Sequence, residues 1–261
     1  MEMENGIGDH DDIRYKDINL QYRNDLMNDL SSVRENDSKH AINNNNTQTY
    51  TTPVISNKTQ HILIVTTWRS GGTFLGDLLN HHPGVFYSFE PTSKDVEEKL
   101  MTARSTKSIQ EEYIELISQV LKCKPQTGYI KYLKKVDRGN TYRFRQNVRM
   151  LNACKPFWKT CFLPEYYFKS CPLFPIQLLK TTLLRVQTSL ELFNDSVLAK
   201  SLKLVVLFRD PRGMMNSRKN LGWCVTRAYC HYPKLVCDDM QDDVLYAHKA
   251  KDLFPGNMNI I

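Results

Sequence analysis

Two short segments of the chain are almost wholly apolar, and each leads through basic residues into a helical pattern. The first, residues 62–65, is typical of a strand that is buried on both faces, which favours a central position in a parallel sheet. Gly71 and Gly72 then allow the backbone to turn sharply, and residues 73–79 have the pattern of an amphipathic helix. The order strand, turn, helix therefore predicts an α/β protein.

The second segment, residues 202–218, repeats this order of strand, basic turn and helix. Asp210 is a good N-cap residue, and Pro211 fits the first helical position, where no backbone N–H is needed. Arg209 and Arg212 place two cations near the positive end of this helix, where its dipole disfavours them. A bound anion would relieve that conflict, but a local salt bridge between Arg209 and Asp210 would explain the same residues.

The remaining patterns separate a tail from a folded region. Residues 85–89 predict a short strand that ends at Glu90, and residues 111–121 predict an amphipathic helix that needs no functional explanation. Residues 1–59 are polar and rich in Asn, Asp, Ser and Thr, without apolar periodicity, which predicts a mobile stalk. Acceptor patterns for N-glycosylation occur at Asn36, Asn45, Asn57 and Asn194.

The turn after the first strand has the chemistry of an anion-binding site. The first amides of a helix have no partner inside it, and together with the helix dipole they favour phosphate or sulfate. Arg69 adds a permanent charge with a forked set of donors. A loop that only caps a helix would show a similar pattern, so the turn alone leaves both interpretations open. No Gly-Lys-Ser/Thr follows at the Walker A spacing, which disfavours an ordinary ATPase or GTPase.

Composition and net charge limit the classes of binding partner that are expected. The chain has 261 residues and a formal charge of +7, which fits one α/β domain with a tail and favours anionic partners. Nucleic acid would fit the charge, but the chain lacks an aromatic-rich RNA motif, zinc-finger spacing and a dense basic helix, so no nucleic-acid partner is expected. The seven cysteines show no close Cys-X-X-Cys pair, and no cluster suggests a metal. They would form disulfides in a lumenal enzyme and buried thiols in a cytosolic protein, and their spacing does not give their pairing.

Both junctions resemble the Golgi carbohydrate sulfotransferases, particularly the galactose, N-acetylglucosamine and N-acetylgalactosamine 6-O-sulfotransferase group. The sequence TTWRSGGTFLGDLLN, residues 66–80, is similar to the 5′-phosphosulfate loop of that family. The sequence LFRDPRGMMNSR, residues 207–218, is similar to its 3′-phosphate motif. Three further segments match in order: HHPGVFYSFEP, LLKTTLLRV and CDDMQDD. The resemblance implies a P-loop-like three-layer α/β fold, with a central parallel sheet flanked by helices, over residues 60–261.

In that family the two motifs bind opposite ends of the co-substrate 3′-phosphoadenosine 5′-phosphosulfate (PAPS), and no metal is required. The resemblance assigns the 3′-phosphate to Arg209 and Ser217. It assigns the phosphosulfate end to six consecutive residues: Arg69, Ser70, Gly71, Gly72, Thr73 and Phe74. The implied reaction is transfer of a sulfuryl group to a sugar hydroxyl, with the 6-hydroxyl expected, in a glycosaminoglycan or glycoprotein glycan.

The reaction needs a base for the acceptor hydroxyl and positive charge for the leaving phosphate. Glu90 is the candidate base, because it ends a strand near Arg69 and the family has a carboxylate in this segment. Arg69 is expected to stabilise the leaving group, and Lys180 is a further candidate. His81 and His82 compete as bases, although a histidine at a helix end more often caps the helix. The expected acceptor is an acidic or neutral glycan. A sulfated or carboxylated sugar chain would fit a basic segment that could equally be a solvated face: Lys131, Lys134, Lys135, Arg138, Arg143, Arg145 and Arg149.

The resemblance also implies a cellular location for the protein and an extent for its domain. Family members are type II membrane proteins of the Golgi lumen, whereas no stretch here approaches the roughly 20 apolar residues of a membrane helix. Membrane association is therefore expected only through an anchor that is not present in this sequence. The family also continues beyond the equivalent of residue 261, so we expect a domain truncated at its C-terminus. An inactive relative that binds glycan or nucleotide, and a small-molecule kinase that uses ATP, are the alternatives.

Overall fold

The computed structural model describes residues 59–92, 97, 107–124, 144, 146–154, 161 and 163–261. Within them lies a sheet of five parallel strands in the order β2-β3-β1-β4-β5. The strands are β1 (Gln60–Thr66), β2 (Val85–Phe89), β3 (Ile176–Thr181), β4 (Leu202–Leu207) and β5 (Met258–Ile260). Almost all of the predicted stalk, with all three of its glycosylation patterns, and most of the predicted basic segment lie outside the described residues.

Nine α-helices occur in the described part of the chain. They are α1 (Gly72–Asn80), α2 (Lys107–Leu121), α3 (Val148–Cys154), α4 (Pro164–Ser170), α5 (Val186–Ser189), α6 (Pro211–Arg218), α7 (Gly222–Val225), α8 (Ala228–His231) and α9 (Pro233–Leu253). Short 3₁₀ turns lie at Cys171–Leu173, Leu190–Asn194 and Leu198–Lys200. Helix α2 begins four residues before the predicted segment of residues 111–121. No helix of the described residues is long and apolar enough to cross a bilayer.

The sheet separates two apolar cores, which gives the three layers that the sequence predicted. On one face, Leu75 and Leu79 of α1 pack against a small cluster that includes Ile64 and Tyr87. On the other face, α2 and α9 contribute to a much larger cluster with the alternate strand positions. Successive residues of a strand point to opposite faces, so a strand between two cores must be apolar throughout. The α/β fold with a parallel sheet flanked by helices is confirmed.

Strand β1 is the centre of the sheet because it pairs with β3 on one side and β4 on the other. Leu63 and Ile64 have no exposed surface, as the apolar pattern predicted. From β1 the chain passes to one side of the sheet for β2 and β3, and to the other for β4 and β5. The order therefore reverses at the carboxyl ends of β1 and β4, which is where open α/β sheets bind ligands.

An ion-pair network joins α9 to the segment after β3. Arg185 donates to Asp243 Oδ1 at 2.9 Å and also pairs with Asp239. Both carboxylates are buried, so their desolvation is compensated by a forked, charge-assisted contact. The segments LLKTTLLRV and CDDMQDD are thus two halves of one structural contact.

Three disulfides connect six of the seven cysteines. They are Cys123–Cys171, Cys154–Cys161 and Cys224–Cys230, and Cys237 is an exposed thiol. The sequence left open whether the cysteines form disulfides or remain buried thiols, and in the structure six of them form disulfides.

Candidate functional site

The first loop, residues 67–71, connects β1 to α1 at the carboxyl edge of the sheet. Its backbone is tightly curved, since Arg69 has a φ of 69° and Gly71 a φ of 95°. Gly71 is the N-cap of this nine-residue helix, and a glycine provides no side chain to accept a hydrogen bond from the first amides of α1. The N-terminus of α1 is therefore open to an anion, as the sequence predicted.

Gly72 is required by the close approach of two side chains. A Cβ at this position would lie 2.6 Å from Cγ2 of Thr66 and 3.1 Å from Cε of Lys180. The absent side chain lets the aliphatic part of Lys180 cross the start of α1. The strand β3 therefore contributes a buried ammonium group beside the first loop.

The second loop, residues 208–210, connects β4 to α6. Asp210 caps α6 by accepting a hydrogen bond from the Arg212 amide at 2.8 Å, and it also binds the Arg212 guanidinium. The side-chain hydrogen bond from Arg212 lowers the pKa of Asp210 to about 2. The predicted N-cap is confirmed, and the local salt bridge of Asp210 is made with Arg212, so Arg209 is left for other contacts.

Two arginine side chains connect the first loop to the second loop and to α6. Arg209 donates from Nη1 to the carbonyl oxygen of Arg69 at 3.0 Å, and Arg69 donates from Nε to Oγ of Ser217 at 2.8 Å. Both arginine side chains are exposed, and among the described residues neither forms an ion pair with a carboxylate. Two uncompensated cations, 140 residues apart in sequence, therefore face one cleft.

Glu90 lies beside this cleft, on the residue after β2. It has a φ of 42°, and its Oε1 accepts hydrogen bonds from Lys180 Nζ and, at 3.3 Å, from Thr182 Oγ1. The side chains of Lys180 and Glu90 are only 4% and 15% exposed. The ammonium also lies 4.6 Å from the ring centroid of Phe89. Because the stem of Lys180 crosses Gly72, the carboxylate is held close to the N-terminus of α1.

The other predicted residues of the first loop differ in exposure. Ser70 is buried, and its hydroxyl contacts Thr67 Oγ1 at 2.9 Å and Met214 Sδ at 3.0 Å, which fastens the loop to α6. Thr73 is half-buried, and the ring of Phe74 is 74% exposed. The structure therefore leaves Phe74 accessible and turns the Ser70 hydroxyl inward.

The competing histidines lie at the opposite edge of the sheet. His81 follows α1, with its Nδ1 2.7 Å from the carbonyl oxygen of Asp77, and His82 accepts a hydrogen bond from the amide of Gly84. Arg149, from the predicted basic segment, binds the carbonyl oxygens of Asn80 and His81. All three side chains therefore serve the C-terminal end of α1, and neither histidine is close to Arg69.

Two further features bear on the chemistry. No group of three or more His, Cys, Asp or Glu side chains could hold a metal ion within the part of the chain that the structure describes. A cavity of about 420 Å³ opens at the amino edge of the sheet, beside His61, Lys122 and Ser201. It does not adjoin the two loops.

Sequence reasoning missed Arg218, the last residue of α6. Its side chain is 1% exposed and donates to the carbonyl oxygen of Trp68 in the first loop, at 3.0 Å from Nε and 2.7 Å from Nη2. Met214, four residues earlier, is also buried. Residues four apart share one face of a helix, so the pattern could have placed Arg218 on the inner face of α6.

Comparison with known proteins agrees with these motifs. The sulfotransferase domain matches residues 59–257, which is most of the chain. Carbohydrate sulfotransferase 6 of Homo sapiens is 24% identical over 183 residues, 64% of this chain and 45% of that protein. Carbohydrate sulfotransferase 5 of Homo sapiens is 25% identical over 181 residues, 64% of this chain and 44% of that protein. Carbohydrate sulfotransferase 7 of Mus musculus is 51% identical over a 37-residue stretch, 14% of this chain and 8% of that protein.

These matches span less than half the length of the relatives. No solved structure matches the chain at a significant level. The domain match nevertheless covers both loops, strands β1 to β4, and every side chain of the cleft. The chain therefore belongs to the sulfotransferase family, as a relative of the carbohydrate sulfotransferases.

Proposed function

We propose that the chain transfers a sulfuryl group from PAPS to a hydroxyl, the 6-hydroxyl, of a sugar in a glycosaminoglycan or glycoprotein glycan. One observation carries the proposal: Arg69 and Arg209 share a cleft in which neither has a carboxylate partner among the described residues. Two guanidinium groups that face one cleft repel each other, and a bound anion would compensate their charge. A nucleotide with phosphate groups at both ends supplies that charge.

The cleft offers different donors to the two ends of PAPS. The phosphosulfate fits the uncapped N-terminus of α1 with Arg69, because backbone amides and a guanidinium both bind anions. The 3′-phosphate fits Arg209 and Ser217, which lie on the second loop and α6. The exposed ring of Phe74, next to the first loop, offers a face on which the adenine can stack.

Sulfuryl transfer requires that a proton be removed from the acceptor hydroxyl and that the leaving group be stabilised. The acceptor oxygen attacks sulfur as its proton passes to the Glu90 carboxylate, and the bond between sulfur and the bridging phosphate oxygen breaks. Adenosine 3′,5′-bisphosphate leaves with the electron pair of that bond, so negative charge develops on its 5′-phosphate. Arg69 and Lys180 lie where they can stabilise this charge, Arg69 in the first loop and Lys180 across Gly72. No step needs a metal.

The acceptor and the compartment rest on the relatives and on the cysteines. The relatives are carbohydrate sulfotransferases, which supports a glycan acceptor, acidic or neutral. Three disulfides are typical of proteins that fold in an oxidising compartment, which fits the Golgi lumen. Asn194, the one glycosylation pattern within the described residues, is exposed and fits the same compartment.

A transfer assay tests the proposal. Purified protein is incubated with sulfate-labelled PAPS and with chondroitin or keratan acceptors, and the position of the new sulfate is mapped on the product. We expect label on the 6-hydroxyl, loss of transfer in Arg69→Ala, and retention in the matched control Arg212→Ala, whose side chain is occupied by Asp210.

Three other outcomes would contradict it. Tight binding of adenosine 3′,5′-bisphosphate with no transfer to any acceptor would identify an inactive relative. Stronger competition by ATP than by the bisphosphate would favour a small-molecule kinase. Binding of neither nucleotide would remove the assignment of the cleft altogether.

A further inference from the structure

Arg218 places a permanent charge inside the protein, directly beneath the first loop. Its side chain is 1% exposed, yet it lies on the helix that follows the second loop. Two of its nitrogens converge on the carbonyl oxygen of Trp68, at 3.0 and 2.7 Å. A third, Nη1, donates to the carbonyl oxygen of Cys230 at 3.2 Å. The planar guanidinium therefore bridges two separate pieces of backbone, which the single nitrogen of a lysine side chain is poorly shaped to do.

The contact with Trp68 bears on the conformation of its neighbour, Arg69. Arg218 holds the carbonyl of Trp68, and Arg209 holds the next carbonyl, that of Arg69, at 3.0 Å. Arg209 lies in the second loop and Arg218 in α6, so two successive carbonyls of the first loop are bound by one continuous segment, residues 208–218. Arg69 has a φ of 69°, in the left-handed region that side chains other than glycine rarely adopt. Such a conformation persists only where surrounding contacts impose it.

The far side of Arg218 is anchored by a disulfide. Cys230 is bonded to Cys224, and the short segment between them is closed by that bond. We call residues 222–231 the clasp. Trp223 of the clasp packs edge-on against Trp68, with ring centroids 5.5 Å apart and planes at 71°. The clasp therefore reaches the first loop twice, through an aromatic contact and through Arg218.

We infer that Arg218 is a positioning residue. It connects the disulfide-closed clasp to the first loop and so holds Arg69 in its left-handed conformation. The inference rests on the proposed function only for the identity of the ligand that Arg69 meets. Arg218 touches no ligand in this account, because it is buried behind the loop.

Hydrogen exchange tests this without any ligand. In Arg218→Lys, we expect faster exchange of the backbone amides of residues 67–72, including the Ser70 amide that donates to Thr67 O. Exchange in α9 should not change. Arg212→Lys, at the exposed start of the same helix, is the matched control and should leave both segments as they are. Unchanged exchange of residues 67–72 in Arg218→Lys would overturn the inference.

The disulfides provide a second test, which remains decisive if Arg218→Lys does not fold. The double variant Cys224→Ser, Cys230→Ser opens the clasp, whereas Cys154→Ser, Cys161→Ser opens a bond of similar sequence separation, 7 against 6, elsewhere in the fold. We expect only the first to accelerate exchange of residues 67–72. Equal acceleration by both, or by neither, would contradict the role of the clasp.

Binding separates this inference from the proposed function. By calorimetry, the Kd of adenosine 3′,5′-bisphosphate should rise about tenfold in Arg218→Lys, as expected for a disturbed set of charge-assisted contacts. If the wild-type protein does not bind the bisphosphate, the proposed function fails and the exchange experiment still decides the role of Arg218. If the wild type binds and Arg218→Lys binds equally well, Arg218 does not position the site.

Discussion

Lys180 donates a hydrogen bond from Nζ to the carboxylate of Glu90, and its stem crosses the start of α1 at Gly72. The two residues lie at the carboxyl ends of neighbouring strands, since Phe89 of β2, which precedes Glu90, is in register with Lys180 of β3. The contact therefore ties the candidate base to the N-terminus that is proposed to bind the phosphosulfate. In the proposed complex with the donor, the same ammonium is placed between the candidate base and the leaving group, so the two side chains should have separable effects on turnover and on nucleotide binding.

Glu90→Gln should abolish turnover and leave nucleotide binding unchanged. The amide keeps the shape of the carboxylate and can still accept from Lys180, but it cannot take the proton of the acceptor hydroxyl. We expect kcat to fall by about 100-fold or more, the usual effect of losing a general base. The measurement is kcat in the transfer assay beside the calorimetric Kd of adenosine 3′,5′-bisphosphate.

Glu191→Gln is the matched control, because Glu191 is exposed on a 3₁₀ turn away from the cleft. It should change neither quantity. Normal turnover in Glu90→Gln would eliminate Glu90 as the base.

Lys180→Met should, in contrast, weaken nucleotide binding as well as turnover. The variant keeps the apolar stem over Gly72 but removes the charge proposed to face the leaving phosphate. It also leaves Glu90, 15% exposed, without this ion pair, which should lower the free energy of unfolding by about 2 kcal/mol. A Kd for the bisphosphate equal to that of the wild type would show that Lys180 serves only to hold Glu90.

Gly72→Ala should destabilise the fold by about 1–3 kcal/mol, the usual cost of overpacking. The added Cβ would lie 2.6 Å from Cγ2 of Thr66. Thr66→Ser removes that methyl group and keeps the hydroxyl that donates to the carbonyl oxygen of Leu207 at 2.8 Å. The double variant Thr66→Ser, Gly72→Ala should therefore regain much of the lost stability in urea denaturation. A double variant no more stable than Gly72→Ala would show that the clash lies elsewhere.

His61 should make the stability depend on pH below neutrality. Burial lowers the pKa of His61 from its ordinary 6.5, and this outweighs the opposite effect of Asp195. The unfolded chain therefore binds the proton more readily than the folded one, so stability is full above about pH 6.5 and declines as the pH falls. Urea denaturation between pH 5 and pH 8 should show a shallower slope in His61→Gln than in the wild type. His248→Gln, at an exposed position, should keep the wild-type slope.

The two junctions could be predicted because their signals are local. An apolar strand, a glycine turn or an N-cap, and a helix pattern each occupy a few consecutive residues, and the parallel topology then brings the carboxyl ends of β1 and β4 together. The pattern also placed Glu90 correctly at the end of β2. The roles of these residues in binding and catalysis stay predictions until the variants are measured.

Contacts between distant segments could not be predicted in the same way. The disulfide partners, such as Cys123 and Cys171, are set by the packing of α2 against the segment before β3. The Arg185 network depends on where α9 lies against the sheet. Arg218 was missed because a single arginine in a polar helix is usually solvated, and its burial is compensated by carbonyl oxygens of distant residues, Trp68 and Cys230.

Calorimetry with two ligands can show whether Arg69 and Arg209 hold opposite ends of one nucleotide. Adenosine 3′,5′-bisphosphate and adenosine 5′-phosphate are titrated into the wild type, Arg209→Ala and Arg212→Ala. We expect the wild type and Arg212→Ala to prefer the bisphosphate by tenfold or more, about the value of one charge-assisted contact. Arg209→Ala should lose this preference while its weaker affinity for adenosine 5′-phosphate persists. An undiminished preference for the bisphosphate in Arg209→Ala would contradict the account.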